Sequence, residues 1–345
     1  MNVGIIGANG YSGVELIRLL HQHPFVQLKY LASHSSSGKL ISEQYPHLQG
    51  IIEDRIGELD INEAASKIEL MFFATPSGVS KDLIPAFLEK GITCIDLSGD
   101  FRLKDGTIYE KWYKNAKASD ENLQNATYGL PEIFREEIIG STLIANPGCY
   151  PTATLLGLAP ALNNGLISGE NIVIDGKSGV SGAGRKASLG THYGEINENM
   201  KAYKLGSHQH IPEIEQIISH LSGTDHPITF STHLVPMTRG ILCTIYADLK
   251  IDTTTGELLT QYEEYYQNNF FVRIRPLDVW PATKEVLGSN YCDIGLKVEE
   301  RTNKLIIVSV IDNVVKGAAG QAVQNMNLLN GWAEETGLTF SPVYP

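Results

Sequence analysis

One cysteine, Cys149, stands in the run Asn146-Pro147-Gly148-Cys149-Tyr150-Pro151-Thr152, and its neighbours are of the kind that turn a thiol into a nucleophile. The apolar residues 142–145 before it read as a strand, and the Ala/Leu spacing of 153–162 after it reads as a helix. The cysteine therefore falls at or near a helix start. Unpaired backbone N–H groups and the positive end of the helix dipole both favour thiolate over thiol there. Pro147 and Gly148 suit a sharp strand-to-helix turn, and Pro151 fits a first-turn position where a missing N–H is harmless. The plainer reading is a small buried cysteine beside a turn. The rest of the chain has to choose between them.

A thiolate needs a proton partner, and His208-Gln209-His210-Ile211-Pro212-Glu213 supplies two histidines just ahead of a predicted helix. Two residues apart, they point the same way if the backbone is extended, and either one near the thiol makes a Cys/His couple. Spacing does not choose between them; His208 is taken first. A metal pair is the rival reading, but no further His or Cys falls at ligand spacing, so no metal is expected.

The N-terminus carries a second chemistry. Residues 2–6 form an apolar strand, Gly7-Ala8-Asn9-Gly10-Tyr11-Ser12-Gly13 a glycine turn, and residues 14–21 a helix. Strand, glycine turn and helix in that order are the context a dinucleotide fingerprint requires. Gly7 permits the tight turn, Gly10 the approach of a pyrophosphate and Gly13 close packing of helix on strand, with Asn9, Tyr11 and Ser12 between them. The second strand, residues 26–31, ends not in the Asp or Glu of a NAD site but in a hydroxyl-rich stretch with Ser33, Ser36 and Lys39. Hydroxyls and a lysine without an acid suit a 2′-phosphate, so NADP (NADPH) is expected over NAD; a polar loop without a ligand is the alternative.

Further strands at 68–74 and 92–97 end in loops carrying Thr75-Pro76 and Arg102. Thr75 and Pro76 are expected to line the cofactor crevice, since ligands bind beyond strand C-termini in open α/β sheets. Arg102 either holds an anion bidentately or pairs with a nearby acid. Residues 104–125 read as an irregular excursion. Beyond Cys149, strands at 171–178, 228–235, 239–250, 291–299 and 305–312 follow one another with one clear helix, 257–269, among them. That is an antiparallel, α+β composition, unlike the first half. Ser178 and Gly179 open a second glycine-rich loop, which approaches a nicotinamide ring or turns a corner. A last helix spans 316–330, with Ala319, Ala322, Val323, Met326 and Leu329 on its apolar face.

With 345 residues the chain is long enough for two domains, and its net charge of −12 argues against nucleic acid or an anionic membrane as partner. A small-molecule substrate is expected. Cys94, Cys149, Cys243 and Cys292 are widely spaced, as free thiols in a reducing cytoplasm would be. No targeting segment precedes the first strand, and no apolar run reaches membrane-span length, so a cytoplasmic protein is expected.

Taken together, the chain resembles the N-acetyl-γ-glutamyl-phosphate reductases, the arginine-biosynthesis members of the semialdehyde dehydrogenase superfamily. The likeness rests on Gly7 to Gly13, Asp96 to Arg102, Tyr128 to Glu132, Asn146 to Thr152, Lys177 to Arg185, His208 to Ile214 and Pro236 to Ile241, in the family's order. It implies a Rossmann NADP-binding domain at 1–148 and a catalytic and dimerisation domain at 149–312 with a mostly antiparallel sheet. It also implies a C-terminal segment, 313–345, whose helix packs back on the first domain. Cys149 is then the nucleophile, Asn313 to Gly317 lie near the cofactor, and Arg102, or Arg239 as second candidate, holds an anion. Gln209 stands where many members have arginine, leaving it a polar role at the substrate. A homodimer or homotetramer and a cytoplasmic location are implied as well. The alternatives are an aspartate-semialdehyde-type dehydrogenase and an NADPH-binding sensor that uses Cys149 as a redox switch.

Overall fold

Residues 1–34 and 36–344 are described by the structure, a computed structural model. Ser35, inside the hydroxyl-rich stretch, lies outside them. The chain divides into two compact units, with crossings at Pro147/Gly148, Gly317/Ala318 and Leu338/Thr339.

The first unit combines residues 1–147 with Ala318–Leu338. Its strands are β1 (Asn2–Ile6), β2 (Gln27–Ala32), β3 (Leu70–Phe73), β4 (Thr93–Asp96), β5 (Thr127–Tyr128) and β6 (Leu143–Ala145). They pair in the order β2-β1-β3-β4-β6-β5, every pair parallel. A parallel sheet is covered on both faces, which is why β3 is buried at every position. From β1 the chain builds outward to β2 on one side and then to β3 on the other. That reversal opens a crevice beyond the strand ends, between the turns after β1 and β3.

The stretch read as irregular, 104–125, holds two short helices, Gly106–Tyr113 and Asp120–Asn125. Asp105 accepts from Thr107 N–H and Ser119 from Asn122 N–H, so each helix begins on a side-chain cap. Buried Tyr109 and Leu123 anchor them. These caps are visible in the sequence, but the helices are too short for an apolar period to show.

The second unit holds β7 (Val173–Ser178), β8 (Lys201–Tyr203), β9 (Thr229–Leu234), β10 (Ile241–Asp248), β11 (Val272–Ile274), β12 (Cys292–Glu299) and β13 (Lys304–Ile311). The order is β11-β12-β13-β10-β7-β9-β8. The β11-β12 and β7-β9 pairs are parallel and the other four antiparallel, a mixed, mostly antiparallel sheet. Alternate residues of β10 are buried, and Ile245 meets the helix Cys149–Asn163 on that face. At Gly157 an added Cβ would come within 3.2 Å of Ile245 and Ile307, so glycine is what lets helix and sheet close up. All thirteen residues from Tyr150 to Leu162 are buried. Each leucine among them contributes roughly 1.5–3 kcal/mol of burial.

Residues 313–317 and 339–344 group with this second unit, not with the final helix. Gly317 N–H bonds Asp312 O, and Val343 N–H bonds Leu287 O. The segment predicted as one helix over 316–330 is a π-helix at Val315–Ala319 followed by an α-helix at Gly320–Leu329. That α-helix is buried beyond its apolar face: Gln321, Gln324, Asn325 and Asn327 are all inaccessible. Their amides bond groups of the first unit, Asn325 and Gln321 donating to Gly129 O and Gln324 to Glu132.

Candidate active site

In the first unit the glycine loop is built by two steric exclusions and one opening. Gly7 has φ +89°, and a Cβ there would lie 2.3 Å from Ala74 O; one on Gly13 would lie 2.3 Å from Gly7 O. Neither position admits a side chain. A Cβ on Gly10 meets only Gly7 O at 3.5 Å, an ordinary contact, so the loop is open at that residue. Gly10 caps the helix Tyr11–His21 without a side-chain cap bond, and the first turn has no acidic residue, which leaves the positive end for an anion. Asn9 Nδ2 donates to Ser36 Oγ at 3.0 Å, and Tyr45 OH donates to Asn9 O, joining the glycine loop to the stretch after β2. Ser12 follows Tyr11 in the helix's first turn. Ser33 and Ser36 are buried and Lys39 is exposed. Arg55 was not singled out by sequence; its guanidinium donates to Gly38 O beside Lys39.

Thr75, beyond the end of β3 after Ala74, has its backbone beside Gly7, and Pro76 next to it is exposed. Thr75 Oγ1 is shielded from solvent and has no hydrogen-bond partner among the described residues. An orphaned hydroxyl at the crevice and an open Gly10 fit a dinucleotide. Arg102 is almost wholly buried and donates to Leu97 O and Asn146 O. It fixes the backbone entering the Asn-Pro-Gly-Cys turn. Asp96, also fully buried, is pushed up to about 7 by burial and then by the neighbouring Asp100 charge.

In the second unit Cys149 is the first residue of its helix, partly accessible, with Gly148 as N-cap and no side-chain cap bond. Gly148 N–H donates to Glu213 Oε1 at 2.8 Å. Glu213 is inaccessible and sits in the first turn of the helix His210–Ser222, so this one bond ties the cysteine turn to the histidine helix. Tyr150, next to Cys149, completes the link: its ring meets His208 at 5.6 Å and His210 at 6.2 Å, edge on. Sequence reasoning gave neither Glu213 nor Tyr150 a role, although Tyr150 lies in the run 146–152 around Cys149 and Glu213 in the run 208–213 that begins with His208.

The two histidines differ. His208 is enclosed by Tyr150, Tyr203, Phe230 and His210. Its Nδ1 accepts the His210 N–H at 3.1 Å. Burial, with the Lys204 charge behind it, lowers its pKa to about 3. His208 is thus a neutral ring with Nδ1 already engaged. His210 is the first residue of its helix, three before Glu213 and on the same face. Gln209 is half-buried and accepts from Lys204 Nζ. Tyr203 OH donates to Tyr150 OH at 3.3 Å, and burial pushes the Tyr203 phenol up to about 12.

Arg239 keeps about a quarter of its side chain accessible and pairs with the buried carboxylate of Asp312. Asn313 accepts from Gly240 N–H at 2.7 Å and donates to Ser181 Oγ at 2.9 Å. Ser178 is buried and donates to Gly179 O. The N–H groups of Gly179, Val180 and Ser181 bond Gly240, Met237 and Thr238, so this second glycine loop is stapled to its neighbour. Among the described residues no group of three or more His, Cys, Asp or Glu could hold a metal, and no helix is long and apolar enough to cross a membrane.

Comparison with known proteins adds the family. A model of the semialdehyde dehydrogenase NAD binding domain matches residues 2–141, and one of the semialdehyde dehydrogenase dimerisation domain matches 149–313. An N-acetyl-gamma-glutamyl-phosphate reductase of Geobacillus sp. (strain WCH70) is 55% identical over 345 residues, all of both chains. One of Bacillus subtilis (strain 168) is 53% identical over the same span, again all of both chains. Among solved structures, aspartate semialdehyde dehydrogenase II of Vibrio cholerae superposes with a TM-score of 0.73 at 19% identity, covering 96% of this chain and 98% of the other. The aspartate semialdehyde dehydrogenase of Candida albicans, solved with NADP, gives 0.73 at 15% identity, over 95% and 98%. At those identities the structures show the fold alone.

Proposed function

The chain belongs to the N-acetyl-gamma-glutamyl-phosphate reductase family of the semialdehyde dehydrogenases, and from that premise we propose that its reaction runs through a thioester on Cys149. The enzyme is an oxidoreductase of arginine biosynthesis. It reduces N-acetyl-γ-glutamyl phosphate to N-acetylglutamate 5-semialdehyde and phosphate. The observation that carries the thioester reading is the placement of Cys149 at an uncapped helix start, tied through Glu213 to the helix that begins with His210.

Cys149 thiolate attacks the acyl carbon, the phosphate leaves with the electrons of its bond to that carbon, and the acyl group stays on sulfur. Gly7, Gly10, Gly13 and Thr75 would hold NADPH, with Ser33, Ser36 and Lys39 toward its 2′-phosphate, and the cofactor when bound would supply the hydride that reduces the acyl group. Backbone N–H groups at the start of the Cys149 helix steady the oxyanion. His210 takes the thiol proton and returns it as the thiolate is released. His208, with Nδ1 on the His210 backbone and its pKa near 3, orients this helix start and does not titrate in the working range. The acid/base role, given first to His208 where spacing left the pair open, is thereby proposed for His210. Arg239, aimed by Asp312, holds the anionic end of the substrate; Arg102 acts as a scaffold for the Asn146 carbonyl.

The match to a dimerisation domain supports a homo-oligomer. We place the contact on the sheet face opposite the Cys149 helix, where Leu242, Thr244, Tyr246, Ile306 and Val308 are half-buried. A cytoplasmic location fits the free thiols.

The test is NADP⁺ reduction with N-acetylglutamate semialdehyde and phosphate, run beside Cys149→Ser. Phosphate-dependent turnover that the variant loses by at least about a thousandfold, with NADPH binding retained, is the expected result. Turnover of aspartate semialdehyde in its place would move the substrate. Activity in Cys149→Ser would remove the nucleophile.

A further inference from the structure

Residues Val315–Ala319 are wound as a π-helix, with Gly317 N–H bonding Asp312 O, five residues back, at 3.0 Å. Such turns are rare and concentrate at functional sites, since one extra residue in a turn re-aims the side chains around it. This one brings Gly317 onto Cys149. A Cβ built on Gly317 would lie 2.7 Å from Cys149 Cβ and 3.2 Å from its Cα, with Ile311 Cδ1 also at 3.2 Å. The backbone at Gly317 does not itself require glycine, because its φ is outside the left-handed region. What excludes a side chain is the cysteine. The turn is held at its start: Asp312 Oδ1 accepts from Val314 and Val315 N–H, and Oδ2 from Gly288 N–H.

We propose that Gly317 is a positioning residue for the reaction, setting where the Cys149 side chain sits by leaving it room against the π turn. This rests on Cys149 being the nucleophile. Adding one methyl group at Gly317 forces the pair apart by a large fraction of an ångström, and misplacements of about 1 Å at a reacting atom lower rates up to roughly a hundredfold. Gly317→Ala is therefore expected to lower kcat by about ten- to a hundredfold, while KM for the aldehyde stays within about twofold. The midpoint of the pH profile for Cys149 alkylation should shift as well, because the thiol moves relative to the helix start. An unchanged kcat and profile would overturn the proposal.

If Gly317→Ala folds poorly, its coupling to Cys149 remains measurable. The variant should lower Tm when residue 149 carries a Cβ and lower it less in a Cys149→Gly background; equal losses in both would also overturn the proposal. Turnover by Cys149→Ser would remove the nucleophile reading while leaving that coupling intact. An inactive Cys149→Ser beside a fully active Gly317→Ala would remove the Gly317 inference alone.

Discussion

The helices Tyr11–His21 and Cys149–Asn163 begin in the same way, and almost everything around the two starts is different. Both have a glycine N-cap in extended conformation, no side-chain cap bond and no acidic residue in the first turn. The first is an outer helix whose start is open, with Tyr11 exposed and space at Gly10. The second is a core helix whose start is enclosed: Glu213 holds the Gly148 N–H, Gly317 packs on Cys149, and Tyr150 leads to a wall of aromatic rings. An open positive end suits a delocalised anion arriving from solvent. An enclosed one suits a single thiol whose position matters more than its access. One local signal thus serves binding in one unit and chemistry in the other, and the packing decides which.

Damage at the first start should then appear in cofactor affinity, and damage at the second in turnover. The largest effect is expected at Gly13. Gly13→Ala drives a Cβ into Gly7 O, a backbone atom that cannot step aside, and should abolish NADPH binding measured by fluorescence titration, with a lowered Tm. Gly10→Ala meets nothing closer than 3.5 Å in the protein, so Tm should hold while Kd for NADPH rises by about tenfold or more. Equal Tm losses for the two variants would mean that Gly10 is structural and that the first helix start is closed like the second.

At the second start Glu213 is the lever. Glu213→Ala leaves the Gly148 N–H without its buried partner and should lower kcat by about ten- to a hundredfold, with Kd for NADPH unchanged. Glu213→Gln keeps an acceptor oxygen and should recover most of that loss. If the amide is as slow as the alanine, the carboxylate charge and not the hydrogen bond is what matters, and Glu213 joins His210 in handling the proton.

Both helix starts were legible in the sequence, because each is a local pattern of glycine, proline and apolar spacing. The distinction between them was not. Glu213 lies 65 residues from Gly148, and Gly317 lies 168 from Cys149. Periodicity carries no information about such partners. The same limit explains the final helix, where Gln321, Gln324 and Asn325 lie off the predicted apolar face and are nonetheless buried. Their amides donate to backbone, carboxylate and side-chain amide oxygens 179–196 positions away. The π turn falls inside the predicted helix for a related reason: Lys316, Ala318 and Ala319 are ordinary helix residues, and the winding is distinguished by the Asp312 bonds at its start and the packing of Gly317 on Cys149. His208 and His210 look alike in sequence, and a bond between one ring and the other's backbone separates them.

The smallest effect, and the finest test of the contrast, is expected at His208. Its pKa falls from 6.5 to about 3, through burial first and the Lys204 charge second. Between those values the folded chain keeps the ring neutral while the unfolded chain protonates it. The unfolded state therefore binds the extra proton, so this contribution to stability is complete above about pH 6.5 and is lost as pH falls toward 3. His208→Asn keeps a side-chain oxygen to accept the His210 N–H and removes the titration. Denaturant melts should show the acid limb between about pH 6 and 4 shallower in the variant by up to roughly 1 kcal/mol per pH unit. Turnover at alkaline pH should fall by only about threefold, since the ring orients His210 and transfers no proton. A loss of turnover as deep as that of Cys149→Ser would return the proton to His208. The enclosure of this helix start would then be a feature of the acid/base group itself and not of its support.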